Sequence, residues 1–147
     1  MRSRSLRRSA RVCLGVLLIA LCEGCAVQHV QMYDGPARPT DQQAIVKAAE
    51  TIDGQHVQIQ SVDGVATTPP LSSPLNRGFP SSVSVLPGRH TIQFTLWINN
   101  LYVDADLWWI AQAGGTYVIR HESKGYQARI WIEDASTGQS VGGTNTH

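Results

Sequence analysis

From Arg89 to Glu133 the side chains alternate between apolar and polar with a period of two, and no other feature of this chain restricts its fold as strongly. His90, Ile92, Phe94, Leu96 and Ile98 fall on one side of an extended segment, with Thr91, Gln93, Thr95 and Trp97 on the other. After Asn99-Asn100, a pair that tolerates the positive φ of a hairpin turn, Leu101, Val103, Ala105, Leu107 and Trp109 alternate with Tyr102, Asp104, Asp106, Trp108 and Ile110. Gly114-Gly115 and Ser123-Lys124-Gly125 punctuate two more such runs. Tyr117, Ile119 and His121 oppose Thr116, Val118 and Arg120, and then Tyr126, Ala128, Ile130 and Ile132 oppose Gln127, Arg129, Trp131 and Glu133. A helix turns 100° per residue and would scatter these apolar groups around its axis, so the period selects β-strands with one buried face.

Weaker signals extend the pattern upstream. Ala44–Ala49 is a short apolar run, and His56–Val62 alternates Val57 and Ile59 with Gln58 and Gln60 before the Asp63-Gly64 turn. Residues 67–82 hold four of the seven prolines, a density of missing amide donors that no strand interior tolerates, so they read as a long loop. Regular structure resumes at Val83–Leu86 and stops at Pro87-Gly88. The expected fold is all-β: an antiparallel β-sandwich of about seven strands, with turn signals about every 8–12 residues. Its expected extent is residues 44–138. A polar tether, 25–43, broken by Gly35, Pro36 and Pro39, precedes it, and a loose tail, 139–147, follows.

The chain begins differently. Arg2, Arg4, Arg7, Arg8 and Arg11 lead into Val12–Leu21, ten uncharged and mostly apolar residues. A membrane-spanning helix needs roughly 20 such residues, whereas a basic segment followed by a shorter apolar run is the make-up of a secretory signal. Residues 1–24 are therefore read as a signal peptide. All three cysteines, Cys13, Cys22 and Cys25, lie within or at the end of this segment, so no disulfide framework is available to the exported domain. The stretch ending at Cys25 resembles a bacterial lipoprotein signal, with Gly24 before and Ala26 after the cysteine that takes the lipid, although Leu21 falls one place early. The resemblance implies acylation at Cys25 and a membrane attachment through palmitate-like chains. Ala26 implies the outer membrane, with the domain facing the periplasm. Simple cleavage to a soluble periplasmic protein is the alternative.

Three stretches of the body, "SVLPGRHTIQF" (84–94), "AQAGGTYVIR" (111–120) and "IWIEDASTG" (130–138), together with the upstream "YDGPARP" (33–39), are similar to small bacterial envelope lipoproteins with a PEGA-like or transthyretin-like β-sandwich. In that group a strand ends in Pro-Gly, a long strand follows, and a Gly-initiated aromatic strand comes next. The resemblance implies the sandwich fold and carries no enzymatic activity with it.

The residues themselves offer little chemistry. From Cys25 onward seven basic residues face ten acidic ones, a charge of about −3 that gives nucleic acid no basic patch. His90 and His121 fall on apolar faces, where a hydrogen-bonded core histidine is the expectation, and no two histidines have metal-ligand spacing. Asp104 and Asp106 share a polar face and are expected to pair across strands with Arg120 and Arg129. No nucleophile elbow, phosphate loop or dinucleotide fingerprint is present. No cofactor, metal or catalytic residue is therefore expected. The leading expectation is a non-enzymatic, lipid-anchored periplasmic protein serving as a structural or protein-interaction module. Trp97, Tyr102, Trp108 and Trp131, set among polar residues, make a candidate binding face for an envelope protein. They also support a second possibility, a module that binds peptidoglycan or lipopolysaccharide sugars, with an uncharacterised enzyme as the third. The competing reading of the four is secondary core.

Overall fold

The apolar rows anticipated above do face one another across two packed sheets. The computed structural model describes residues 29–49, 55–67, 78–98, 101–124 and 127–144, so the segment 1–24 expected as a signal peptide, and Cys25, lie outside the described residues. Strands run β1 (His29–Gln31), β2 (Ala44–Ala48), β3 (His56–Val62), β4 (Val65–Ala66), β5 (Ser82–Val85), β6 (Gly88–Ile98), β7 (Leu101–Ala111), β8 (Thr116–Lys124), β9 (Gln127–Asp134), β10 (Ser140–Val141) and β11 (Gly143–Thr144). One sheet has the order β1-β5-β2-β8-β9-β10, the other β11-β7-β6-β3-β4. The architecture is an all-β sandwich. Its seven longer strands correspond to the runs identified in the sequence, and four strands of two or three residues trim the edges.

The spine is the β6–β7 hairpin, paired without interruption from Gly88↔Ala111 to Ile98↔Leu101. Its inward side chains Ile92, Phe94, Leu96, Leu107 and Trp109 are fully buried. They meet Val46, Val83, Val85, Tyr117, Ile119 and Ile132 from the opposite sheet. In β3 the inward residues are Val57, Ile59 and Val62, a spacing that strict alternation forbids. A bulge between Ile59 and Ser61 absorbs the extra residue. The buried Thr67 hydroxyl donates to the carbonyl of Ile59, and also lies 3.1 Å from that of Gln60. One side chain thus supplies the donor that the interrupted ladder lacks.

Several sequence expectations need correction. The sandwich is not wholly antiparallel: β1 runs parallel to β5, and β2 parallel to β8. Gly114-Gly115 turns the chain as expected, but from one sheet to the other, because β7 and β8 belong to different sheets. The chain crosses over there, held by the Gln112 amide donating to Tyr117 Oη (2.9 Å), Gly114 N–H to the Gln43 carbonyl (2.8 Å) and Ile45 N–H to the Gly115 carbonyl (2.9 Å). The ordered body also reaches past 44–138. Within the segment read as tether, β1 pairs with β5, and Tyr33 donates from its hydroxyl to Gln43. Within the segment read as tail, β10 pairs with β9 and β11 with β7, so residues 140–144 clasp the same side of both sheets. Gly142 makes this crossing with φ +80°, and a Cβ there would collide with the Trp108 carbonyl, so the clasp requires glycine.

The same geometry separates two tryptophans sharply. Trp109 is fully buried between His90 (ring centroids 5.3 Å apart) and Tyr117 (6.3 Å), whereas Trp131 lies on an outer face with the Arg129 guanidinium 5.2 Å from its ring. Trp109→Ala is expected to cost about 3–5 kcal/mol in urea unfolding, and Trp131→Ala about 0.5 kcal/mol. Equal losses would contradict this burial pattern.

Candidate interaction surface

The four aromatic residues anticipated as one face occupy three places. Trp97 and Tyr102 are cross-strand partners on the outside of the five-stranded sheet. Their rings meet edge to face at 3.9 Å, and His56 stacks on the far side of Trp97 at 5.2 Å. Trp108 lies on the same outer surface but six residues along β7 from Tyr102, about 20 Å away. It sits beneath the Arg89 guanidinium (4.7 Å) and opposite Gly143 of the closing strand. Trp131 belongs to the other sheet and faces the opposite side of the sandwich. A period of two tells which residues share a side of a strand. It does not tell which sheet the strand joins, and that is why Trp131 was grouped with the others.

The carboxylate pairing fails for the same reason. Asp104 accepts from the Thr95 hydroxyl at 2.6 Å, and Thr95 in turn accepts from Gln60 Nε2 at 3.1 Å. Arg120 pairs instead with Glu133 at 3.2 Å, within its own sheet. What remains beside the aromatic row is an amide–hydroxyl–carboxylate ladder crossing three strands. Tyr102, 61% exposed, is the one member of the row that presents most of its ring to solvent. Sequence reasoning passed over His56, although its place opposite Trp97 follows from the β3–β6 register.

The histidines divide. His90 is hydrogen-bonded on both ring nitrogens, to Asp63 Oδ2 (2.6 Å) and to the Leu86 carbonyl (2.7 Å). Each ring nitrogen thus faces an oxygen acceptor, one on the Asp63 side chain and one on the backbone. Asp63 holds φ +51° in its turn, and its other oxygen accepts from the Thr91 amide at 2.8 Å. The group is a clip between two turns. His121 departs from the expectation of a satisfied core histidine: its Nδ1 is buried without a partner, and burial pushes its pKa below the usual value. The Nε1 atoms of Trp97 and Trp109 are likewise buried and unpartnered. Between β2 and β3, at the His56 end, a mainly apolar groove of about 570 Å³ is lined by residues that include Lys47, His56, Phe79 and Pro80.

Among the described residues no three His, Cys, Asp or Glu side chains converge as a metal site, and no helix is long and apolar enough to cross a membrane. The depressed His121 value has a definite consequence. The folded state disfavours the protonated ring, so the stability that His121 contributes is complete above its unfolded pKa near 6.5 and is lost as pH falls below it. Asp134, lowered by its hydrogen bonds from Ser136, acts only below the ordinary carboxylate range, so the two windows do not overlap. Urea midpoints measured from pH 8 to pH 5 are therefore expected to fall less steeply in His121→Leu than in the wild type; parallel curves would refute this assignment. No protein-family model matches the chain, and no similar protein is found among curated proteins or solved structures.

Proposed function

We propose that this chain is a non-enzymatic, lipid-anchored envelope protein, acylated at Cys25 and held at the periplasmic side of the outer membrane, with the sandwich serving as a structural or protein-interaction module. The observation that carries the reading is the order of parts at the N-terminus: five arginines, ten apolar or uncharged residues, and then Cys25 followed almost at once by the first strand of the sandwich. A single acyl chain holds a protein at a bilayer only marginally, and each buried CH₂ contributes about 0.8 kcal/mol, so lasting attachment calls for more than one chain. The three chains implied by the resemblance to lipoprotein signals meet that need. No cofactor or nucleic acid enters this reading.

A second reading, a glycan-binding module, draws on the exposed Tyr102 ring beside the Thr95–Asp104 hydrogen bond. An aromatic plane flanked by hydrogen-bonding groups suits a sugar. Trp108 and Trp131 lie outside that cluster, so of the four aromatic residues a sugar there would contact Trp97 and Tyr102 alone.

The anchor is tested by radiolabelled palmitate in a bacterial host. Wild type is expected to take up label and fractionate with membranes, and Cys25→Ser to do neither. Label retained by Cys25→Ser would move the acceptor to Cys22. Absence of label in both would leave a freely diffusing periplasmic domain.

A further inference from the structure

The body begins much closer to the proposed anchor than a tether over 25–43 would put it. β1 opens at His29, and its ring and the Ser82 hydroxyl are 2.8 Å apart. Four residue steps from Cys25 to His29 span at most about 14 Å when fully extended. That is less than half the thickness of a hydrocarbon core, which is about 30 Å. A chain so short leaves a rigid sandwich few orientations.

The strand register says which end it must present. His29 lies level with Ser82, Ser82 with Lys47, and Lys47 with Val118. β1 is parallel to β5, so the chain enters from the side on which β2 finishes, and β8 runs on in that direction from Val118 to Lys124. Ser123 of β8 reaches Gln55 at 3.4 Å, which brings the His56–Trp97–Tyr102 row to that same end. The described exposed charges there are Lys47, Arg120, Lys124 and Arg129 against Glu122 and Asp104, with Glu50 and Asp53 outside the described residues. The far end carries the acids Asp34, Asp41, Asp63 and Asp134 against Arg38 and Arg89. The molecule is thus electrically lopsided, with its acidic pole farthest from the anchor.

We infer that this near end of the sandwich rests on the membrane that holds Cys25, with Lys47, Lys124 and Arg129 among anionic phospholipid headgroups and the Tyr102 ring at the level of the headgroups. The inference builds on the reading of Cys25 as the anchor. Tyrosine and tryptophan favour the interface because an apolar ring and a polar group can each find their medium there. Cations near an anionic leaflet each contribute about 1 kcal/mol, and acids are repelled. The acidic pole and the far turns then face the periplasm, where a partner would meet them.

The test uses the full chain, processed in a bacterial host, with a photo-crosslinking benzoylphenylalanine replacing Tyr102, Val65 or Ile110 in turn. All three positions are about equally exposed, at 61%, 61% and 60%, but Val65 and Ile110 lie toward the far end. Phospholipid labelled with radioactive phosphate is expected to be captured at position 102 several-fold more than at 65 or 110. Equal capture at the three positions, or capture of peptidoglycan instead of phospholipid at 102, in a protein that incorporates palmitate overturns the inference. If palmitate is absent, the anchor reading fails by itself. The surface is then judged by sedimentation of the periplasmic protein with vesicles of phosphatidylethanolamine and phosphatidylglycerol. Binding weakened about fivefold for each cation removed by Lys47→Ala, Lys124→Ala and Arg129→Ala sustains it. Absence of binding at low salt, or binding that the three substitutions leave unchanged, refutes it.

Discussion

The structure depends on the drying of one side of the β6–β7 hairpin. Eleven consecutive cross-strand pairs place Ile92, Phe94, Leu96, Leu107 and Trp109 on a single surface that water cannot be left to cover. Each such side chain is stabilised by about 1.5–3 kcal/mol on burial, so the hairpin requires a lid. The lid is the second sheet, contributed by segments before and after the hairpin: β2 and β5 from one side of the sequence, β8 and β9 from the other. The crossover at Gln112–Gly115 follows from that need. A third strand continuing as a meander beside β7 would have widened the exposed apolar surface, whereas a strand that changes sheets covers it.

What the sequence makes legible, and what it hides, follows the same division. Inward and outward residues were readable wherever alternation held, so Trp109 fell to the core and Trp97 and Tyr102 to the outside. The β3 bulge does not show in the alternation of Val57 and Ile59 with Gln58 and Gln60; it appears only in the register with β6. Sheet membership was hidden, since Tyr117 and Ile119 bury the same faces whether β8 joins β7 or β2. The expected pairing of Asp104 and Asp106 with Arg120 and Arg129, and the grouping of Trp131 with Trp97, both rested on that missing fact. Edge strands of two or three residues, such as β1 and β11, carry too few side chains to show a period at all. They form because the neighbouring strand leaves hydrogen-bonding groups open, a property of the partner and not of the segment.

The edges also bear on function. Gly142 lets residues 140–144 clasp β9 and β7, and β1 closes the opposite margin of the six-stranded sheet. By pairing with β5, β1 also binds the beginning of the body to a fixed place on the sandwich, so an anchor at Cys25 would impose an orientation as well as a location. The outer surface of the five-stranded sheet ranges from the Tyr102 row at one end to Trp108 and Arg89 at the other.

The placement of β8 is the point on which both the core and the geometry of the near end turn, and nuclear Overhauser contacts between backbone protons measure it directly. The account predicts close α-proton to amide contacts linking Val46 with Tyr117 and its neighbours, in the pattern of parallel strands, and none joining β7 to β8. Antiparallel contacts running between Leu107–Ala111 and Thr116–Arg120 would show a simple meander and contradict it.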